Sequence, residues 1–287
     1  MSNTIEGPLW AGINWSADAG EGSIHDNETA EKLGFRGGTV AGDVHMNQFP
    51  PVMAKVFGEQ WFERGNLSLN FKNATVDREK VGVFADSLEP GKEQTRVWME
   101  RDDGVLVCTG TASIGDHSKS ELRDRDLRPC DPDELKILKR LQPETSLGTY
   151  KVFASTDKQF DRFDRGLISD PIDYYRTGSP WGDVIACPAT FVEFLWGYPM
   201  KVLGPLADNA VGLFGAIEIG HVNGPFLLNR DYTIQSQVVC VGQSPQTEYV
   251  WYDTTATNTQ GKLVATLRMQ SRVMKASSPH YSEPSSV

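Results

Sequence analysis

The sequence predicts an α+β protein in which antiparallel strands wrap around a helix, with the whole unit occurring twice. Three observations lead there. A stretch of helical periodicity, Asp43 to Phe57, is followed by four runs of alternating apolar residues. A helix and a strand meander bury their apolar faces only against each other, which suggests a sheet curled around the helix. The second half of the chain then repeats the pattern weakly, with a period of about 150 residues.

In chain order, residues 1 to 22 carry Trp10 and Trp15 among Gly, Asn and Ser, as a short edge strand running into a loop would. His25 to Lys32 reads as a brief helix whose opening turns hold Asp26, Glu28 and Glu31, where the helix dipole favours negative charge. Gly34, Gly37 and Gly38 end it. In the next helix Val44, Phe49, Val52, Met53, Val56 and Phe57 share a face, and Asp43 is placed to cap its start. The pair Pro50-Pro51 must kink that helix or restart it, because proline lacks the backbone donor.

Strands follow around Leu67 to Phe71, Val81 to Val83, Thr95 to Met99 and Val105 to Ile114, the last after the turn Asp102-Asp103-Gly104. Residues 116 to 147 are charged and punctuated by proline, with a helix expected from Asp131 through Leu141. Beyond them, Asp183 to Phe194 lines up with Gly38 to Phe49, with Pro188 suited to a first helical position. Ile217, Ile219 and His221 answer Leu67, Leu69 and Phe71, and Gly261 to Met269 answers Gly104 to Ala112. The division is therefore 1–115 for the first repeat, 116–147 for a linker, 148–276 for the second repeat and 277–287 for a disordered tail.

Composition narrows the function. The chain has a net charge of −10 and no dominant Lys/Arg cluster, which argues against nucleic acid or an anionic membrane as the main partner. It holds no long apolar run and no secretory signal pattern at its start, so a cytoplasmic protein is expected. Cys108, Cys130, Cys187 and Cys240 form no CxxC pair, and the five histidines show no metal-binding spacing; no metal and no cofactor are expected.

The segment His25-Asp26-Asn27-Glu28-Thr29-Ala30, then Gly34-Phe35 and Gly37-Gly38-Thr39-Val40-Ala41-Gly42, resembles the hydratase motif of MaoC-like proteins. That resemblance implies a tandem double hot dog, with two long central helices wrapped by antiparallel sheet. It also implies an enoyl-thioester hydratase or dehydratase acting on an acyl-CoA or an acyl-carrier thioester. The family's catalytic acid stands five residues before the histidine, where this chain has Gly20; Asp18 and Glu21 are the nearest acids. The family's loop histidine is replaced by Ala41.

Water addition needs an imidazole and a carboxylate working on one water, and backbone donors facing the thioester oxygen. His25 is the leading catalytic candidate, with Asp18, Glu21 or Asp43 as its acid. Gly42 and Val44 begin the helix that would cradle the thioester, with Gly42 letting it approach the backbone. His45 and Asn47 lie further along, Glu193 is on the matching helix, and Arg36 or Arg64 could meet the carrier's phosphates. His221 and Trp181 are weaker pocket candidates, and the second half lacks a counterpart of the His25 segment. The missing acid at Gly20 together with Asp43 leaves a hot-dog acyl-CoA thioesterase as the alternative reading, and a non-catalytic ligand-binding protein as a third. A single double hot dog or a homodimer of them both suit a tandem repeat.

Overall fold

A computed structural model describes residues 4–18, 22–207 and 210–281. Eleven strands form one antiparallel sheet: β1 (Thr4–Glu6), β2 (Trp10–Ala11), β3 (Asn66–Phe71), β4 (Lys80–Asp86), β5 (Gln94–Arg101), β6 (Leu106–Ser113), β7 (Ser146–Ala154), β8 (Gly212–His221), β9 (Arg230–Gln243), β10 (Thr247–Asn258) and β11 (Leu263–Met274). Their order is β1-β4-β5-β6-β3-β8-β11-β10-β9-β7, with β2 beside β4. Reading outward from the centre, β3 answers β8, β6 answers β11, β5 answers β10 and β4 answers β9, so the sequence repeat is a pseudo-two-fold in the sheet.

The axis passes through β3 and β8. Leu67 faces Ile219, Ser68 faces Glu218 and Leu69 faces Ile217, the register a two-fold through Ser68 and Glu218 demands. The ladder runs only from Asn66↔Gly220 to Asn70↔Ala216. At that end β8 carries a bulge against β11, leaving Gly215 out of register, and the two central strands part.

Each half wraps its own helices. The second has one helix of 19 residues, α6 (Pro188–Leu206), starting on Pro188 as expected and tolerating Pro199 and Pro205 inside. The first half differs from two long helices: α2 (Gly42–Met46), α3 (Pro50–Phe57) and α4 (Gln60–Arg64) follow one another. Pro50 and Pro51 cannot donate to the carbonyls of Met46 and Asn47, so the chain restarts with Pro50 at a first helical position. Asp43 is not the cap of α2; Ala41 is, without any side-chain bond. The earlier α1 (Asn27–Lys32) is capped by Asp26, whose Oδ2 accepts from Thr29 N at 2.8 Å.

One core runs through both halves, with Phe49 and Met53 from the first packed with Phe191 and Leu195 from the second. The Asn47 amide joins them directly: its Oδ1 accepts from Ala189 N at 3.0 Å, fixing the start of α6 against the end of α2. The linker holds no long helix. The expected stretch after Asp131 is a single 3-10 turn, Pro132–Glu134, capped by Asp131, and β7 begins at Ser146. Glu248 accepts from the backbone N–H of Lys136, Ile137 and Leu138, which competes with helix formation there. Of the tail expected to be disordered, Ser277 and Pro279–Tyr281 lie in 3-10 turns and the Tyr281 hydroxyl donates to the same Glu248 at 2.6 Å, while residues 282–287 lie outside the described residues. No helix among the described residues is long and apolar enough to cross a membrane.

The linker also straps the seam. Leu122 N donates to Ser68 Oγ at 3.1 Å, and Ser120 Oγ donates to the wholly buried Glu218. Arg123 bridges Glu218 Oε1 (2.9 Å) and Asp253 Oδ2 (2.8 Å), and Arg268 completes the network on Asp253. Leu122 and Leu127 pack on Tyr249, Trp251 and Cys240 of the sheet's outer face. Removing Arg123 leaves a buried carboxylate without its cation. Arg123→Ala is therefore expected to cost roughly 3–5 kcal/mol in urea unfolding; a change below about 1 kcal/mol, as for an exposed pair, would show that the strap carries no such role.

A candidate active site between the halves

The glycine loop and the histidine segment are tied together ahead of α2. Thr39 N donates to Ile24 O at 2.8 Å, Gly38 N to Asn27 Oδ1 at 2.7 Å, and Asn14 Nδ2 to His25 O at 2.8 Å. A Cβ on Gly38 would sit 2.3 Å from His25 O, so only glycine allows the two segments to lie this close. The result is a rigid mount for the His25 ring. Its Nδ1 lies 2.7 Å from Thr39 O. A carbonyl can only accept, so Nδ1 carries the hydrogen, and in the neutral ring Nε2 keeps its lone pair.

His25 lines a cavity of about 890 Å³ shared by both halves, a volume suited to a small molecule. Asp43, in the first turn of α2, lines it too. Burial pushes the Asp43 carboxyl up from its ordinary value; the charges of Arg162 and His25, and the N–H groups of Asp43 and Val44, act the other way. Arg162 comes from the second half, on α5 (Asp157–Asp164). It is held by Glu193 of α6 (Nη2 to Oε2, 2.9 Å), and its guanidinium lies 4.9 Å from the Trp15 ring centre. Lys158 also pairs with Glu193. The carboxylate of one half thus faces a cation anchored by the other.

Deeper in, the walls are apolar: Trp196, Met200 and Leu203 of α6, Leu213 and Phe214 of β8, and Phe71 of β3. Besides Glu193 Oε2, which meets Arg162, three buried polar atoms of residues lining the cavity have no hydrogen-bond partner among the described residues: Thr39 Oγ1, His45 Nδ1 and Trp196 Nε1. Unpaired buried polar atoms are costly, and their gathering in one cavity marks a place for a polar ligand group.

The second half is built differently at the matching point, the start of α6. There Gln159, wholly buried, fills the site: Nε2 donates to Tyr175 O (2.7 Å) and Ile185 O (3.0 Å), and Oε1 accepts from Cys187 N (2.9 Å). The start of α6 is satisfied by the protein's own amide.

The structure sorts the remaining candidates. Gly42 lines the cavity, but the room left by its missing side chain is taken by protein: a Cβ would meet the Phe71 ring at 2.8 Å and Phe214 at 3.1 Å. His45 lines the cavity with Nε2 on Thr75 Oγ1 at 2.6 Å. Glu193 lines it as the anchor of Arg162. Val44 is wholly buried in the core and Asn47 is spent on Ala189. Asp18 is exposed and outside the cavity; Glu21 and Gly20 lie outside the described residues. Arg36 is also outside, forked on Glu79 at 2.9 and 2.7 Å, and Arg64 bonds Gln60 Oε1 at 2.5 Å. His221 is buried behind, accepting from Phe226 N at 3.0 Å, and Trp181 donates to Glu63 at 2.9 Å. Arg162 and Trp196 are not signalled by the sequence, since no local pattern links α5 or α6 to a loop over a hundred residues earlier, and Thr39 stands in the glycine loop of the motif without a role of its own.

No protein-family model matches the sequence, and no curated protein matches it. Solved structures do. A Mycobacterium tuberculosis protein described as having a double hotdog fold is 10% identical, with a TM-score of 0.59, covering 95% of this chain and 96% of its own. A candidate MaoC domain dehydratase from Chloroflexus aurantiacus J-10-fl is 9% identical (TM-score 0.58; 96% and 95% covered), and a MaoC-like dehydratase is 12% identical (0.55; 94% and 97%).

Two buried histidines set an acid limit. Burial pushes His45 down from 6.5 to about 4 and His221 to about 3. The unfolded chain takes up these protons near pH 6.5 while the folded protein does not. The histidines' contribution to stability is therefore full above that pH and falls on acidification, by about 2 kcal/mol per histidine at pH 5. Urea midpoints at pH 7 and pH 5 check this. Asp170, whose carboxyl burial raises to about 7, takes up its proton in the folded protein over the same range and acts the other way. The check is therefore comparative: His45→Gln, which keeps a polar partner for Thr75 without titrating, is expected to lose about 2 kcal/mol less than the wild type between pH 7 and pH 5, and equal losses in the two proteins would contradict it.

Proposed function

The chain folds as a double hot dog, the architecture it shares with MaoC-like dehydratases, and on that footing we propose that it adds water to, or removes it from, an enoyl thioester. The observation that carries this reading is the pairing of His25 and Asp43 in one cavity: an imidazole whose Nε2 lone pair is free to take a proton, and a carboxyl group that burial favours in its neutral, proton-giving form.

In the hydration direction, His25 Nε2 takes a proton from water as the oxygen attacks Cβ of the enoyl group. Asp43 gives its proton to Cα, and the carbon–carbon double bond becomes the new C–O and C–H bonds. Proton exchange through solvent returns both groups to their starting forms, and dehydration is the reverse. Arg162, held by Glu193, lies close enough to stabilise the Asp43 carboxylate left behind, and the apolar walls from Trp196 to Phe214 receive the acyl chain. Asp43 thereby takes the place that the MaoC-like pattern gives to an acid before the histidine, where this chain has Gly20.

The second reading, thioester hydrolysis, is favoured by the same Asp43 lying in the first turn of α2 beside the cavity, where a carboxylate could serve as base or nucleophile. A carboxyl whose proton burial helps to retain suits it less well. A panel of enoyl-CoA esters separates the two: hydration removes the conjugated enoyl absorbance without freeing thiol, whereas hydrolysis frees thiol. His25→Ala and Asp43→Asn are each expected to lower hydration by roughly 10²–10⁴-fold. Thiol release from saturated acyl-CoA that is lost in Asp43→Asn would select hydrolysis; hydration retained in full by His25→Ala would reject the proposal.

A further inference from the structure

The cavity has a second, cationic rim. Beyond Asn70↔Ala216, where β3 and β8 part, it is lined by Lys72, Arg125 and Arg272. Lys72 Nζ and Arg125 Nη2 both reach the Asn70 amide, and with its oxygen turned toward them that oxygen accepts from both (2.7 and 3.3 Å). Arg272 stands behind them half-buried, its Nε 3.1 Å from Gln270 Oε1, its Nη1 3.4 Å from Thr247 Oγ1, and its guanidinium 5.6 Å from the Tyr249 ring centre. Among the described residues Arg272 and Lys72 have no carboxylate partner, and Arg125 has Glu121 at 2.6 Å. Burial works against the charged form of Arg272; Tyr249 opposes that loss, and the neighbouring Arg125 adds to it. Two guanidinium groups and an ammonium therefore converge, short of anions, in a chain whose net charge is −10.

Arg125 and Arg272 also line an adjoining hollow of about 400 Å³ on the sheet's outer face, roofed by the linker and walled by Tyr249 and Trp251. Arg128 and Asp126 stand at its lip, both exposed. The two spaces share their cations, and only the larger one reaches His25 and Asp43.

We propose that Lys72, Arg125 and Arg272 hold the phosphates of a nucleotide-bearing thioester carrier, coenzyme A in form, whose thiol arm enters between β3 and β8. This rests on the thioester reading of the site. Guanidinium forks match phosphate oxygens, and an anion placed among these groups relieves their mutual repulsion. The adjoining hollow offers aromatic and polar walls for the nucleotide. A protein carrier of acidic character is the less suitable occupant, because the cations are gathered at one inset rim and the rest of the chain is acidic.

Calorimetric titration with free coenzyme A, dephospho-coenzyme A and pantetheine tests this without turnover. The wild type is expected to bind coenzyme A at least about tenfold more tightly than pantetheine. Lys72→Gln, at an exposed position, and Arg272→Gln should each weaken coenzyme A about tenfold and leave pantetheine unchanged. Equal binding of coenzyme A and pantetheine by the wild type, or unchanged coenzyme A binding in both variants, would overturn the proposal. A phosphopantetheinylated acyl carrier protein that bound more tightly than coenzyme A and lost affinity in the same variants would overturn the nucleotide assignment. Phosphate-dependent binding in a protein inert toward enoyl thioesters would support the rim while rejecting hydration, so the two failures are distinguishable.

Discussion

The pairing of Asn66–Phe71 with Gly212–His221 is the constraint on which the rest depends, because it both joins the halves and stops short. Its five paired positions, centred on Ser68 and Glu218, make one sheet out of two and fix the pseudo-two-fold. Its end at Asn70 and Ala216, beside the bulge at Gly215, lets the two central strands separate there. Phe71 and Phe214 line the cavity on the inner side of that opening, and Arg125 and Arg272 on the outer. A longer ladder would have closed it. The linker accordingly spends its polar groups at the seam, with Ser120, Leu122 and Arg123 all bound to the axial pair.

The two halves have diverged around that axis in complementary ways. The first breaks its helix at Pro50 and leaves the start of α2 facing a cavity, with a histidine held by Thr39 O. The second keeps a continuous helix and closes the matching point with Gln159, whose amide satisfies two carbonyls and one N–H at once. Closing one site frees the surrounding residues for the other. α5, which carries Gln159 on its buried face, presents Arg162 to the cavity, and α6 presents Glu193 to hold it. The carboxyl at Asp43 therefore feels a field assembled from both repeats.

Much of the architecture was legible in the sequence, because the features that specify it are local and periodic. The alternation in Leu67, Leu69 and Phe71, its echo in Ile217 and Ile219, and the lone proline at the head of α6 gave the strands, the repeat and the helix start. The proline pair at 50 and 51 signalled a break, but only the backbone shows a full restart. The helix expected after Asp131 failed because Glu248, over a hundred residues away, captures the N–H groups a helix would have used. The site was half legible. His25 stood out by its glycine context, whereas Arg162 lies in a charged stretch that reads as a solvated helix, and the cations of the second rim come from a strand end, a linker and a strand of the other half. Nothing in one-dimensional spacing brings Lys72, Arg125 and Arg272 together. Arg36, the more obvious candidate beside the glycines, is neutralised by Glu79.

The central claim is that His25 is mounted as a base, with Nδ1–H on the Thr39 carbonyl and an Nε2 lone pair in the same cavity as Asp43. Long-range ¹⁵N NMR of the histidine-labelled protein, with His25 assigned by His25→Gln, reads that state directly. At a pH where the ring is neutral, the expected spectrum has Nδ1 protonated and Nε2 unprotonated, with the Nε2 resonance moving in Asp43→Asn. A neutral ring protonated at Nε2, or an Nε2 resonance indifferent to the loss of the Asp43 carboxyl, would contradict it.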